Sequence, residues 1–445
     1  MLISSQRFTG PDGACSIRLG IIACVMLMNG QNLLAQEWTR FRGPNGTGES
    51  EAQTVPAKWT EQDYRWKADL PGVGNSSPVL WGDRLFVMSA DPKTATRYVL
   101  CYHSETGKLL WKREFESEPH HLHTMSSFAS CTPTVDQELV YVAWAQPSRL
   151  TLMALTHEGK TAWENNLGSW SSAHGFGTSP MLFDDLVILS NSQEAKDGRG
   201  PAAVAPESFV MAFDRKTGQQ RWQTPRVVDN VSYSVPAIFQ PKNGQPQLVN
   251  TSTGSGLYAL DPKTGEELWS TVVFDKRTVS SPLVKDDLIL GSTGSGGGGN
   301  YVSAVRSDGK TAKLVYEIKT QAPYVPCVVA RENLLFLISD GGIASCVNLE
   351  TGEVHWRKRI GGNYQGSPIR IADKIYCVSV EGEVVVLAAS EEFEELGRTS
   401  LGEGSRSTPA VANGRLYLRT FSKLLTVGGE DVKPGANRRV SQTSP

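Results

Sequence analysis

Short runs in which apolar and polar residues alternate dominate the chain from about Trp66 to Val427. "RLFVMS", "DLVILS", "KIYCVSV" and "RLYLRT" each repeat with period two, the pattern of a strand with one buried face. Between these runs stand clusters of Gly, Pro, Asn and Asp, residues that reverse the chain. The pattern predicts an almost entirely β protein built from many short strands.

The strands recur with a fixed period. A Pro after a small residue marks each unit: Pro78, Pro133, Pro180, Pro236, Pro282, Pro326, Pro368 and Pro409, spaced 41 to 56 residues apart. That spacing suits a four-stranded antiparallel blade, so the expected fold is an eight-bladed β-propeller. The eighth unit has only three strands, near Ala410, Arg415 to Arg419 and Leu424 to Val427. Its fourth is expected from the start of the chain, in "YRWKADLPG" around Trp66. A ring closed in this way leaves no blade incomplete.

Within each unit a second motif recurs, as in "ALDPKTGEELW" ending at Trp269. Asp-Pro-Lys-Thr-Gly is turn chemistry, and the aromatic residue that follows is expected to clasp the neighbouring blade. The clasp positions are Trp66, Trp111, Trp163, Trp222, Trp269, Tyr316 and Trp356; unit seven, near Leu396, has lost the motif.

These repeats resemble the pyrrolo-quinoline quinone (PQQ) repeat, and the chain resembles the secreted bacterial PQQ-like β-propeller family. The resemblance implies eight blades and an extracytoplasmic location. It leaves open two groups, the quinoprotein alcohol dehydrogenases and non-enzymatic scaffolds of the BamB type. The chain lacks the adjacent Cys-Cys pair typical of the dehydrogenases, and no catalytic Asp or calcium-binding Glu and Asn can be matched. The expectation is a non-catalytic scaffold without a cofactor, with a PQQ and calcium-dependent oxidoreductase as the alternative.

The ends of the chain change the picture in one respect. Arg7 and Arg18 precede the apolar run "LGIIACVMLM", and Ala35 offers a cleavage position, so residues 1–35 read as a secretory signal peptide. "IIAC" is a poor lipoprotein box, because apolar residues continue after Cys24. A periplasmic or secreted protein without a lipid anchor is expected. Residues 36–63 read as an extended segment, 64–429 as the propeller and 430–445 as a polar, disordered tail.

Charge and cysteine content mainly exclude. With 44 basic and 46 acidic residues the chain carries no basic excess for nucleic acid. Cys101, Cys131, Cys327, Cys346 and Cys377 are odd in number and widely spaced, so they give no disulfide framework. "GSGGGG" at Gly294 to Gly299 lacks the Lys-Ser/Thr of a phosphate loop, and His120, His121 and His123 have no acid or Cys at ligand spacing.

Loop length places the candidate site. The long connections, "ESEPHHLHTMSSFAS", "ENNLGSWSSAHGFG", "SQEAKDGRGPAAVAPES" and "GSTGSGGGGNY", all follow a second or fourth strand and so share one face. Residues just before each inner strand should ring the mouth of the central channel there: Asn75, Ser130, His174, Phe176, Tyr233, Arg277, Tyr324, Tyr364, Gln365 and Arg406, with His123 approaching from its loop. Two Arg among aromatic and amide groups suit an anionic, planar or peptide ligand. The expected partner is a protein or peptide on this face, with the chain acting as a monomer.

Overall fold

The computed structural model describes residues 38–194, 207–228 and 230–429. The predicted signal peptide and polar tail lie outside the described residues, as does most of the loop from Ser192 to Ser208.

Eight antiparallel blades form a closed propeller. Blades 1 to 7 open on inner strands Val79–Trp81, Thr134–Val135, Met181–Phe183, Ala237–Phe239, Leu283–Lys285, Val329–Arg331 and Ile369–Ile371. Their outer strands are Leu109–Phe115, Thr161–Asn166, Gln220–Arg226, Glu267–Thr271, Ala312–Ile318, Val354–Arg359 and Glu395–Ser400. Blade 8 joins Ala410–Ala412, Arg415–Arg419 and Lys423–Gly428 to Tyr64–Asp69, which pairs antiparallel with Lys423–Gly428. The displaced outer strand is therefore where the repeat count put it. The five cysteines are buried and unpaired.

The aromatic clasps work by one geometry. Trp66 donates its indole N–H to Ser104 O (2.9 Å), Trp111 to His157 O (2.7 Å), Trp163 to Arg215 O (2.9 Å) and Trp222 to Pro262 O (3.0 Å). Trp356 reaches Ser390 O (3.1 Å), and the Tyr316 hydroxyl reaches Leu349 O (2.6 Å). Every acceptor sits in the tight turn of the following blade, and the ring packs on that turn's glycine, except that Trp356 packs on Phe393. A Cβ on Gly265 (φ 76°) would lie 2.5 Å from the Trp222 ring, so the Thr-Gly turn needs glycine for its backbone and for the clasp.

Trp269 departs from this expectation. Its N–H is accepted by Gln247 Oε1 of its own blade (2.8 Å), and Gln247 Nε2 donates onward to Gly309 O of blade 5 (2.6 Å). Pro241 occupies the space against Gly309 that a ring fills elsewhere, so the link is relayed. Blade 7 has Gly397 at the clasp position, opposite Val386. There the N-terminal segment replaces the aromatic: a Cβ on Gly397 would meet Ala57 O at 2.3 Å, and buried Trp59 bonds Thr399 through its backbone.

A second belt surrounds the channel. Ser77 N–H donates to Thr132 Oγ1 (3.0 Å), Thr132 N–H to Ser179 Oγ (2.9 Å), and Val235 N–H to Ser281 Oγ (3.0 Å). Ser281 N–H continues to Cys327 Sγ (3.3 Å), Cys327 N–H to Ser367 Oγ (3.0 Å), Ser367 N–H to Thr408 Oγ1 (2.9 Å), and Thr408 N–H back to Ser77 Oγ (3.2 Å). The one gap falls where Val235 has no hydroxyl to accept from blade 3. This belt also corrects one repeat marker: in blade 6 the residue before the inner strand is Val328 and the belt residue is Cys327, so Pro326 lies two positions early.

Residues 38–50 cross the channel below this belt. Leu80 N–H of blade 1 donates to Trp38 O and Val135 N–H of blade 2 to Thr39 O, both at 2.8 Å. Arg40 bonds Pro236 O of blade 4 (2.7 Å), Arg42 bonds Val328 O of blade 6 (2.7 Å), and Glu49–Ser50 pairs parallel with the inner strand of blade 7. Burial pushes the two guanidinium pKa values down to about 10 and about 9. Carbonyl acceptors offset part of that desolvation, and at Arg42 the Glu49 carboxylate opposes it as well.

Candidate functional site

All eleven channel-mouth residues picked from the sequence line one cavity of about 720 Å³. Asn75, Ser130, Tyr233, Tyr324, Tyr364, Gln365 and Arg406 come from the approaches to the inner strands, as expected. His123, His174 and Phe176 come from long connections, and Arg277 lies where a backbone bridge to Gly294 ends the blade 4 to 5 connection. Belt residues Ser77, Thr132, Ser179, Cys327, Ser367 and Thr408 form the wall beneath, and Phe41 of the crossing segment adds an aromatic floor.

The connection between blades 1 and 2 arches over this mouth. His123 stacks on His174 with ring centroids 5.0 Å apart, and the Gln365 amide touches Met125 Sδ from the far side. Asn75 Nδ2 fixes the arch by donating to Met125 O (3.1 Å). His120 turns away to pack on Phe128, so the three clustered histidines do not converge. Among the described residues no group of three His, Cys, Asp or Glu is placed to hold a metal.

The charged groups on the wall differ in how far they are committed. Arg277 pairs with buried Glu194 (2.7 Å) and donates to His174 Nδ1 (2.9 Å). Burial first, and then the neighbouring Arg277 cation, hold His174 below the ordinary histidine pKa, with Glu194 opposing. Glu194 also accepts from Val231 N–H (2.8 Å), which completes a self-contained cluster. Asp340 accepts from Tyr324 N–H (2.7 Å) and Val325 N–H (3.1 Å), while burial raises its pKa. Arg406 makes no hydrogen bond or ion pair among the described residues; its guanidinium carbon lies 5.4 Å from the Phe421 ring centroid.

This donor set does not fit calcium-assisted quinone chemistry. Among the described residues Asp340 is the only carboxylate lining the cavity, and both its oxygens already serve backbone amides. A hard cation wants six to eight oxygen ligands, several of them anionic.

A sequence model described as "Outer membrane protein assembly factor BamB" matches residues 59–238 and 206–420, most of the chain. The chain belongs to the BamB family. Among curated relatives, BamB of Yersinia pestis is 27% identical over 274 residues, 56% of this chain and 64% of that one. The chain thus matches just under two thirds of that relative's length. Among solved structures, BamB from Moraxella catarrhalis superposes with a TM-score of 0.60 at 16% identity, covering 81% of this chain and 98% of that one. The quinohemoprotein alcohol dehydrogenase from Comamonas testosteroni gives 0.65 at 14% identity over 90% and 82%. At these identities the superpositions report the shared propeller fold, which BamB proteins and quinoproteins have in common.

Sequence reasoning missed Phe41, Asp340, Met125 and Glu194. The run "WTRFRGPNGTG" at 38–48, with Arg on either side of Phe41, was the available signal for the floor. Nothing local marked Asp340, Met125 or Glu194, which matter only because distant loops meet over one mouth.

Proposed function

We propose that this BamB-family propeller is an extracytoplasmic, non-catalytic scaffold that binds a protein or peptide through its loop-rich face. The observation that carries this reading is the mouth itself. Long connections from several blades converge there around a cavity in which Asp340 is engaged by backbone amides and the lining residue Arg277 is engaged by Glu194. A rigid ring presenting variable loops is a natural recognition surface. The family's description directs the partner search to outer-membrane assembly proteins.

The competing reading is a quinone-dependent dehydrogenase, the activity named for one of the fold's structural neighbours. Reconstitution of the purified protein with PQQ and calcium, followed by dye-linked oxidation of alcohols and aldoses, separates the two. The scaffold reading predicts no turnover. Tight cofactor binding with substrate-dependent dye reduction would replace it with the enzyme.

A further inference from the structure

We propose that the cavity at the channel mouth takes a ligand with an aromatic or aliphatic body and a single carboxylate, anchored by Arg406. The inference rests on reading this mouth as a binding site and names what enters it. Among the described residues five ionisable cation or acid side chains line the cavity: His123, His174, Arg277, Asp340 and Arg406. His174 and Arg277 belong to the cluster closed by Glu194. His123 stacks on His174 and accepts from Met125 N–H (3.3 Å), and Asp340 accepts from two backbone amides. Among the described lining residues, Arg406 is then the cation left without a hydrogen-bond or ion-pair partner, and its Nε is buried.

A partly buried guanidinium with no counter-ion is a site for an anion, and its planar fork matches a carboxylate bidentately. The rest of the wall fixes the body of the ligand. Phe41, Phe176, Val235, Val279, Val325 and the tyrosines give the cavity an apolar interior of a size suited to one small molecule or one terminal side chain. Among the described residues a polyanion finds one free positive charge here. The same chemistry is offered by a free carboxylic acid and by the C-terminus of a peptide ending in an apolar residue.

The test is calorimetric titration of the full chain with 3-phenylpropanoate and its neutral amide, and with a short peptide ending in Phe as the free acid and as the C-terminal amide. At least one acid should bind, and its amide should bind about tenfold or more weaker, the usual value of a charge-assisted bond. Binding of the peptide acid assigns the site to a chain terminus; binding of 3-phenylpropanoate alone assigns it to a free acid. Arg406→Gln should lose the acid and Arg406→Lys should retain part of it, with thermal midpoints confirming both folds. The amide comparison on the native chain needs no variant. The proposal is overturned if neither acid binds at about 5 mM, if the amides bind equally well, or if folded Arg406→Gln binds as the native chain does. Partner capture is read separately: a variant that loses the acid yet still crosslinks to its protein partner leaves the scaffold intact.

Discussion

Trp59→Ala tests the claim that the N-terminal segment replaces the missing clasp of blade 7. Trp59 is 4% exposed and belongs to the apolar cluster that joins blades 7, 8 and 1. A Trp side chain buries about 200 Å², which at about 25 cal/mol per Å² corresponds to about 5 kcal/mol, and core Trp→Ala changes cost about 3 to 5 kcal/mol. About 380 residues are described, and an unfolding entropy of about 2.1 cal/mol/K per residue gives about 0.8 kcal/mol per degree. The thermal midpoint should therefore fall by about 4 to 6 °C. Because the segment is held again at Arg40 and Arg42, limited proteolysis should open residues 51–60 before the ring itself. Scanning calorimetry with proteolysis in parallel reads both effects. A midpoint within 1 °C of the native protein, with the segment still protected, would refute the replacement.

Two further outcomes follow from particular contacts. Gly265 and Gly82 both have positive φ, but a Cβ meets the Trp222 ring and Thr224 Oγ1 only at Gly265. Gly265→Ala should lower stability by about 2 kcal/mol or more in urea unfolding against about 1 for Gly82→Ala, and equal effects would remove the clasp term. His174 has its pKa lowered by burial and by Arg277, so its stabilising contribution is present above the unfolded-state value of about 6.5 and is lost as pH falls from there through the lower folded-state value. Acidification from about pH 7.5 to 5 should lower the thermal midpoint of the native chain more than that of His174→Gln; parallel curves would contradict this.

The ring was legible in the sequence because most blades repeat one local solution. Alternation specifies the strands, Thr-Gly the turn, and the following Trp or Tyr the joint to the next blade. The places where the repeat falters were legible only in three dimensions. Gly397 lacks a clasp because residues 57–59 lie there, and Trp269 is relayed because Pro241 fills the usual space. At the mouth, position relative to each inner strand was enough to find the lining. It could not tell that Glu194 neutralises Arg277 while Arg406 keeps no partner among the described residues, since that depends on which loops meet.

The scaffold reading places recognition at the loop-rich mouth. A photo-crosslinking residue placed at His121, exposed on the arch over the mouth, should capture an outer-membrane assembly protein in the native envelope, identified by mass spectrometry. The same residue at Lys263, in a tight turn on the opposite face, should not. Capture from Lys263 alone, or from neither position in cells where the protein is abundant, would contradict the claim.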